Sequence, residues 1–187
     1  DDPVYVEIGF AKGTPTSIDG KDMPPLDLIN HLNSIAGEHG IGRIDHIENR
    51  LVGIKSREVY EAPAGLTLFT AHKSLESLTL SKNQSRLKQL IAQEYADVVY
   101  NGLWYSAHRR DMDAYVESTQ QNVTGSVRMK LYKGNCIVVG RKSPRALYSH
   151  KLATYERGDT FDHRASEGFI SIYGLPIRTE TRNQTEL

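Results

Sequence analysis

Glu48 carries a carboxylate, and Tyr60 a phenol twelve residues further on. Both lie in a stretch, Gly42 to Gly65, that interleaves aliphatic residues with Arg43, Asp45, Arg50, Lys55, Arg57, Glu58 and Glu61. Counting parity from Ile44, His46 and Glu48 share one face of an extended strand while Asp45 and Ile47 share the other. Glu48 then closes the strand, just before Asn49 and Arg50. A carboxylate at a strand end is well placed to hold a cationic substrate group. Fully extended, the span to Tyr60 would be roughly 40 Å, so the two side chains share a site only if the chain folds back between them. Gly53 offers the place. Read from pattern alone, the segment fits a surface hairpin better than a binding site.

Other elements must carry this segment. Val4, Val6, Ile8 and Phe10 alternate as in a strand, and "AKGTPTS" has the Gly and Pro of a turn, after which "SIDG" can pair back. Leu26, Ile29, Leu32, Ile35 and Ala36 recur at helical spacing, with Pro25 suited to the first turn and Gly40 to the stop. Leu68, Ala71, Leu75 and Leu78 describe a second helix. Ser81 can cap a third that holds Leu87, Leu90, Ile91, Tyr95, Val98 and Val99. "NGLWYS" breaks it, and Met112, Tyr115 and Val116 indicate a fourth. "TGSVRMKLYKGNCIVVGRKS" is a hairpin turning at "KGN". The tail holds the apolar "GFISIYGLPI" and then the polar "RTETRNQTEL", expected to be frayed. Strands near both ends enclosing a run of helices predict an α+β fold, with a mostly antiparallel sheet and a central run of helices. A weak seam is expected near Thr124.

The remaining candidates read as structural. His72 and Glu76 stand one helical turn apart, but no second pair completes a metal set, so they read as a surface polar pair. His108, His150 and His163 lack ligand spacing. Cys136 leads an aliphatic strand, where a thiol acts as a small core hydrophobe. Tyr100, Trp104 and Tyr105 sit at a helix end and read as core packing. "SAHRRD" and "VGRKSPR", with Arg128, Lys130 and Lys133, read as a solvated face.

Composition sets the outer limits. The 187 residues suit one domain or two small ones, with 39% hydrophobic and 25% charged residues. Net charge is zero, unlike the basic footprint of a nucleic-acid binder. The single cysteine forbids an internal disulfide and agrees with a cytoplasmic location. No apolar run approaches a membrane span, and no signal-peptide pattern is present. Three sequons, at Asn83, Asn122 and Asn183, carry little weight. The chain opens at Asp1 and enters a strand pattern almost at once, which is expected of a piece of something longer. No glycine-rich phosphate loop occurs.

The stretch "GRIDHIENRLVGIKSREVYE" resembles the argininosuccinate synthase family. So, in the family's order, do "AHKSLESLTL", "NGLW", "TQQNVTGSVRMKLYKGN", "VVGRKSPRALY", "LATY" and "EGFISIYGLP". The resemblance covers nearly all of residues 1–187 and implies one C-terminal synthetase and multimerisation domain, with the tail from about 165 to 187 as an oligomer contact. The family joins citrulline and aspartate in the cytoplasm, splitting ATP to AMP and pyrophosphate through a citrullyl-adenylate. Its nucleotide loop lies in an N-terminal domain that this chain does not include. ATP, with Mg, would be bound mainly there, and the chain alone is expected to be inactive. The resemblance implies a homotetramer, with no nucleic-acid and no membrane partner. It carries two citrulline-binding positions into this chain: the Glu of "ENR", Glu48, and the Tyr of "REVY", Tyr60. Citrulline is a zwitterion. Glu48 is expected to take its ammonium, and a phenol such as Tyr60 can donate to a carboxylate or fix an oxygen. Arg43, Asp45, Arg50, Lys55 and Arg57 are expected to form a pairing network around them. Position 58, often Gly in the family, is Glu here. The competing reading is a non-catalytic module for oligomerisation or ligand sensing.

Overall fold

A computed structural model describes residues 2–153 and 162–185. The described elements run β1 (Val4–Ala11), β2 (Thr14–Ile18), β3 (Lys21–Asp22), α1 (Pro25–Glu38), β4 (Arg43–Asn49), β5 (Lys55–Glu61), α2 (Pro63–Thr79), α3 (Lys82–Tyr100), α4 (Ala107–Gln120), β6 (Gly125–Tyr132), β7 (Asn135–Lys142), α5 (His150–Ala153), α6 (Ala165–Tyr173) and α7 (Leu175–Thr185). The fold is α+β, and the pairing is antiparallel throughout. One compact unit runs to Leu147 and a second begins at Tyr148. The boundary therefore lies beyond Thr124, which leads straight into β6 beside the buried Val123.

The first unit is built on a five-stranded sheet in the order β3-β2-β1-β6-β7. The alternation read from the sequence puts Val6, Ile8 and Phe10 of β1, with Val127, Met129 and Leu131 of β6, on one buried face. Leu28, Leu32 and Ala36 of α1 and Ala64, Ala71 and Leu75 of α2 cover that face, and Ile18, Ile41 and Val123 seal its margins. Burying the larger of these side chains, the Val, Ile, Leu, Phe and Met residues, contributes about 1.5–3 kcal/mol each before the entropy of ordering is subtracted. Within α2 the buried positions include Thr67, whose hydroxyl donates to the Pro63 carbonyl at 2.8 Å. The helix thus hides a polar residue without orphaning it. Leu68 and Leu78 are only half-buried.

Helix starts follow the sequence signals. Pro25 occupies the first turn of α1 and Gly40, at φ +68°, ends it. Ser81 and Gln84 form a reciprocal capping box on α3. Among the described residues of α3 only Val98 is buried, and Leu87 and Leu90 face solvent.

The second unit contains α5, α6 and α7. The polar tail is helical through Thr185 rather than frayed. Thr179, Thr181 and Thr185 donate back to the carbonyls of Leu175, Ile177 and Thr181 at 2.9, 2.9 and 2.6 Å. Phe169 stacks on Tyr173 at 5.1 Å, and Phe169, Ile170, Ile172 and Tyr173 are exposed. No described helix is long and apolar enough to cross a membrane.

Candidate functional site

The charged stretch forms a two-stranded hairpin of its own, β4 with β5. Its base is fastened by a hydrogen bond from the Ala62 amide to the Gly42 carbonyl at 2.9 Å. Gly42 has φ +89°, and a Cβ there would lie 2.5 Å from the backbone of Ala62 and Pro63, so the close approach requires glycine. The far end reverses through Arg50–Ile54. The Arg50 amide donates to the Ile54 carbonyl at 2.8 Å and the Gly53 amide to the Arg50 carbonyl at 2.7 Å, with Gly53 at φ +84°. The reversal expected at Gly53 is there.

The pairing register sets the face. Ile44 stands opposite Tyr60, His46 opposite Glu58 and Glu48 opposite Ser56. Strand alternation then places Glu48 and Tyr60 on one face of the hairpin. They are not neighbours on it. Four strand positions separate their rows, roughly 13 Å along the sheet, and His46 and Glu58 fill the interval. The His46 ring lies tilted against the Tyr60 ring with centroids 5.5 Å apart, and its Nε2 is 3.7 Å from Glu48 Oε2.

Burial in this arm runs opposite to that of a core strand. From Arg43 to Glu61 no residue is fully buried, and the half-buried ones are His46, Glu48, Ser56 and Glu58. All four belong to the Glu48 face. Ile47, Leu51, Val52, Ile54 and Val59 are exposed. The Glu48 side chain is 16% exposed, whereas Tyr60 is 44% exposed at the open end.

The electrostatics favour a cationic guest. Arg50 is shared by two carboxylates: its Nη2 is 2.5 Å from Glu58 Oε1 and its Nη1 is 3.4 Å from Glu48 Oε1. Ser56 Oγ lies 3.5 Å from the same Glu48 oxygen. Two carboxylates, Glu48 and Glu58, thus face one guanidinium. Desolvation first, then the charges of Glu48 and Glu58, push the Tyr60 phenol above its usual range, while Arg50 pulls it down. Tyr100, from the end of α3, adds a smaller upward push and so belongs to the same neighbourhood.

Of the network expected around Glu48 and Tyr60, Arg50 alone among the five named residues makes an ion pair on this face. Arg57 donates to Asp45 through Nε at 2.9 Å and Nη2 at 2.6 Å, and Lys55 donates to Asn49 at 2.7 Å. Those partners have the opposite parity and pair on the other face. Arg43 shares that parity. His46, Ser56, Glu58 and Tyr100 were not among the predicted site residues. Once the turn is placed at 50–54, alternation on the returning strand selects Ser56 and Glu58. Nothing local in the sequence points to Tyr100.

Other expectations change with the tertiary cover. His72 and Glu76 are not a surface pair: both are half-buried between helices. Glu76 Oε1 receives Lys88 Nζ at 3.0 Å and Gln120 Nε2 at 2.8 Å, and His72 Nε2 meets Gln120 Oε1 at 2.9 Å. An adjacent groove of about 410 Å³ lies between α2 and α3, but these polar atoms already satisfy one another. Tyr100, Trp104 and Tyr105 are exposed rather than packed in the core, Tyr105 by 89%. The Arg109 guanidinium lies 4.4 Å from the Trp104 ring centroid. Cys136 packs half-buried against the core, and burial pushes its thiol above the usual range.

The Arginosuccinate synthase C-terminal domain profile matches residues 1–180. The chain belongs to that family. Curated relatives named argininosuccinate synthase include those of Rubrobacter xylanophilus, 58% identical over 178 residues, Bacillus pumilus, 56% over 181, and Dehalococcoides mccartyi, 53% over 184. These alignments cover 95–98% of this chain and 44–45% of the relatives, so the chain spans less than half their length. Among the described residues no group of three or more His, Cys, Asp or Glu side chains could hold a metal ion.

Proposed function

We propose that this chain is the C-terminal part of an argininosuccinate synthase, a carbon–nitrogen ligase, and that the Glu48 face of its hairpin holds citrulline. The observation that carries this reading is the half-buried Glu48 carboxylate, on the same face as Tyr60, in a chain of this family. Glu48 takes the citrulline ammonium by a charge-assisted hydrogen bond. Tyr60, a neutral donor at physiological pH, orients an oxygen of the same ligand. Their contribution is positioning: they hold the ureido oxygen still for its reaction elsewhere in the protein.

In this reading the remaining part of a synthase of the relatives' length holds ATP, and aspartate with it. The exposure of Phe169, Ile170, Ile172 and Tyr173 supports reading α6 as a contact within a homotetramer. The enzyme works in the cytoplasm, in amino-acid biosynthesis.

Calorimetry with citrulline tests the proposal. The chain alone should show weak or undetectable binding, because the site is shared. The complete synthase with ATP should bind, and Glu48→Gln should weaken that binding at least tenfold. Tight binding by the chain alone would favour a stand-alone ligand-sensing module. An undiminished affinity in Glu48→Gln would remove Glu48 from the site.

A further inference from the structure

Arg50 divides one positive charge unequally between two acids on the same face. It is 2.5 Å from Glu58 and 3.4 Å from Glu48. Glu58 sits on the returning strand, opposite His46, and its side chain is half-buried. A guanidinium in contact with Glu48 opposes any ammonium that approaches the same carboxylate, because the two cations compete for one anion. The acid that draws Arg50 away therefore decides how much of the Glu48 charge is left for a ligand.

We propose that Glu58 is a positioning residue that occupies Arg50 and so keeps Glu48 available to the ammonium of an α-amino acid. The inference rests on the reading of Glu48 as the ammonium anchor and names what controls it. The geometry supplies three parts. Glu58 Oε1 holds Nη2 of Arg50. Nη1 and Ser56 Oγ stay near Glu48 Oε1 and orient the carboxylate. Glu48 Oε2 is left with His46 Nε2 at 3.7 Å, beyond hydrogen-bond length, and is the oxygen open to a guest. Without the Glu58 charge, Glu48 becomes the only carboxylate paired to Arg50, and the face loses its excess negative charge. The effect falls on ligand affinity, since no reacting atom is touched.

Steady-state kinetics of the complete synthase, with citrulline varied, test this. Glu58→Gln should raise the citrulline KM about 5- to 10-fold with kcat within about twofold, the pattern of lost binding common to ground and transition states. Glu58→Asp, which keeps the charge, should recover most of the loss. In an Arg50→Gln background the same Glu58→Gln change should alter KM by less than about twofold, because no guanidinium is left to redirect. An unchanged KM in Glu58→Gln, or an equal rise with and without Arg50, would overturn the proposal. So would a Glu58→Asp variant that behaves like Glu58→Gln. Glu48→Gln separates the two ideas. If it raises KM while Glu58→Gln does not, the positioning role fails and the citrulline reading stands. If Glu48→Gln has no effect, the citrulline reading itself fails.

Discussion

The His46 imidazole leans on the Tyr60 ring, with centroids 5.5 Å apart and planes tilted by 45°. This contact joins the two ends of the polar face, because the same imidazole reaches toward Glu48. Aromatic pairs of this kind contribute about 0.5–1.5 kcal/mol beyond their buried area. His46→Ala should therefore raise the citrulline KM of the complete synthase by up to roughly tenfold, by freeing the Tyr60 ring. His46→Phe should recover part of the loss. Equal KM values for Ala and Phe would show that ring packing is not what fixes Tyr60.

The two hairpin glycines should respond differently to the same substitution. Gly53 has a left-handed backbone and open space around its missing side chain. Gly53→Ala should cost only backbone strain, about 1–2 kcal/mol, and Gly53→Asn less. Gly42→Ala adds to that strain an overlap with Ala62 and Pro63. Its thermal midpoint should fall well below that of Gly53→Ala in a melting experiment. Equal midpoints would show that the Gly42 approach to Ala62 and Pro63 does not hold the hairpin base.

Asp45 and Arg57 provide a control on the opposite face. The two Arg57 hydrogen bonds hold the Asp45 carboxyl below its ordinary value of 3.8. A depressed carboxyl pKa stabilises the fold above the unfolded value, and the stabilisation is lost as pH falls through the folded one. Both side chains are exposed, so the effect is small. Asp45→Asn should lower the thermal midpoint slightly at pH 7, and the difference from wild type should vanish in acid once Asp45 itself is protonated. The citrulline KM should not change. A large KM effect would contradict the assignment of faces.

The Tyr60 phenol, pushed above 10.0 by desolvation and by two carboxylates, predicts the alkaline behaviour. A raised folded pKa contributes stability that is fully present below the unfolded value and is lost as pH rises through the folded one. Ultraviolet difference titration of wild type against Tyr60→Phe should show this ionisation above pH 10. Glu58→Gln should move it downward, since a carboxylate charge that opposes the phenolate is removed. A titration at or below the ordinary tyrosine value would contradict the arrangement.

Cys136 should alkylate slowly. Burial raises its pKa above 9.0, so less thiolate is present at pH 8 than in a free cysteine. Iodoacetamide labelling at pH 8 should run at least about tenfold slower than that of a small thiol, and should accelerate on unfolding in urea. Labelling as fast as a free thiol would place Cys136 outside the packed layer.

What the sequence disclosed depended on whether a signal was local. The alternation of Val6, Ile8 and Phe10, the Ser81 cap and the Gly53 reversal are backbone matters, and each was legible. The Glu48 face was half legible. Parity on β4 gave His46 beside Glu48, but parity on β5 needed the length of the turn. Local pattern therefore does not assign Ser56 and Glu58 to the Glu48 face, nor Asp45 and Arg57 to the opposite one; the register does. Burial was the least legible. Trp104 and Tyr105 looked like core because aromatics usually are, and His72 looked exposed because it is polar. For His72 the cover comes from a helix far away in the chain, where Gln120 of α4 closes over it. The tail looked frayed because its polarity was visible, while its back-bonded threonines were not.

The hydrogen bond between Ala62 and Gly42 has one more consequence. It closes a ring at the foot of β4 and β5, so the nineteen residues from Arg43 to Glu61 form an appendage that the hydrophobic interior does not need. If the Glu48 face holds citrulline as proposed, mutations in that appendage can retune ligand preference without endangering the rest of the molecule, and a shortened arm would leave a folded but indifferent protein.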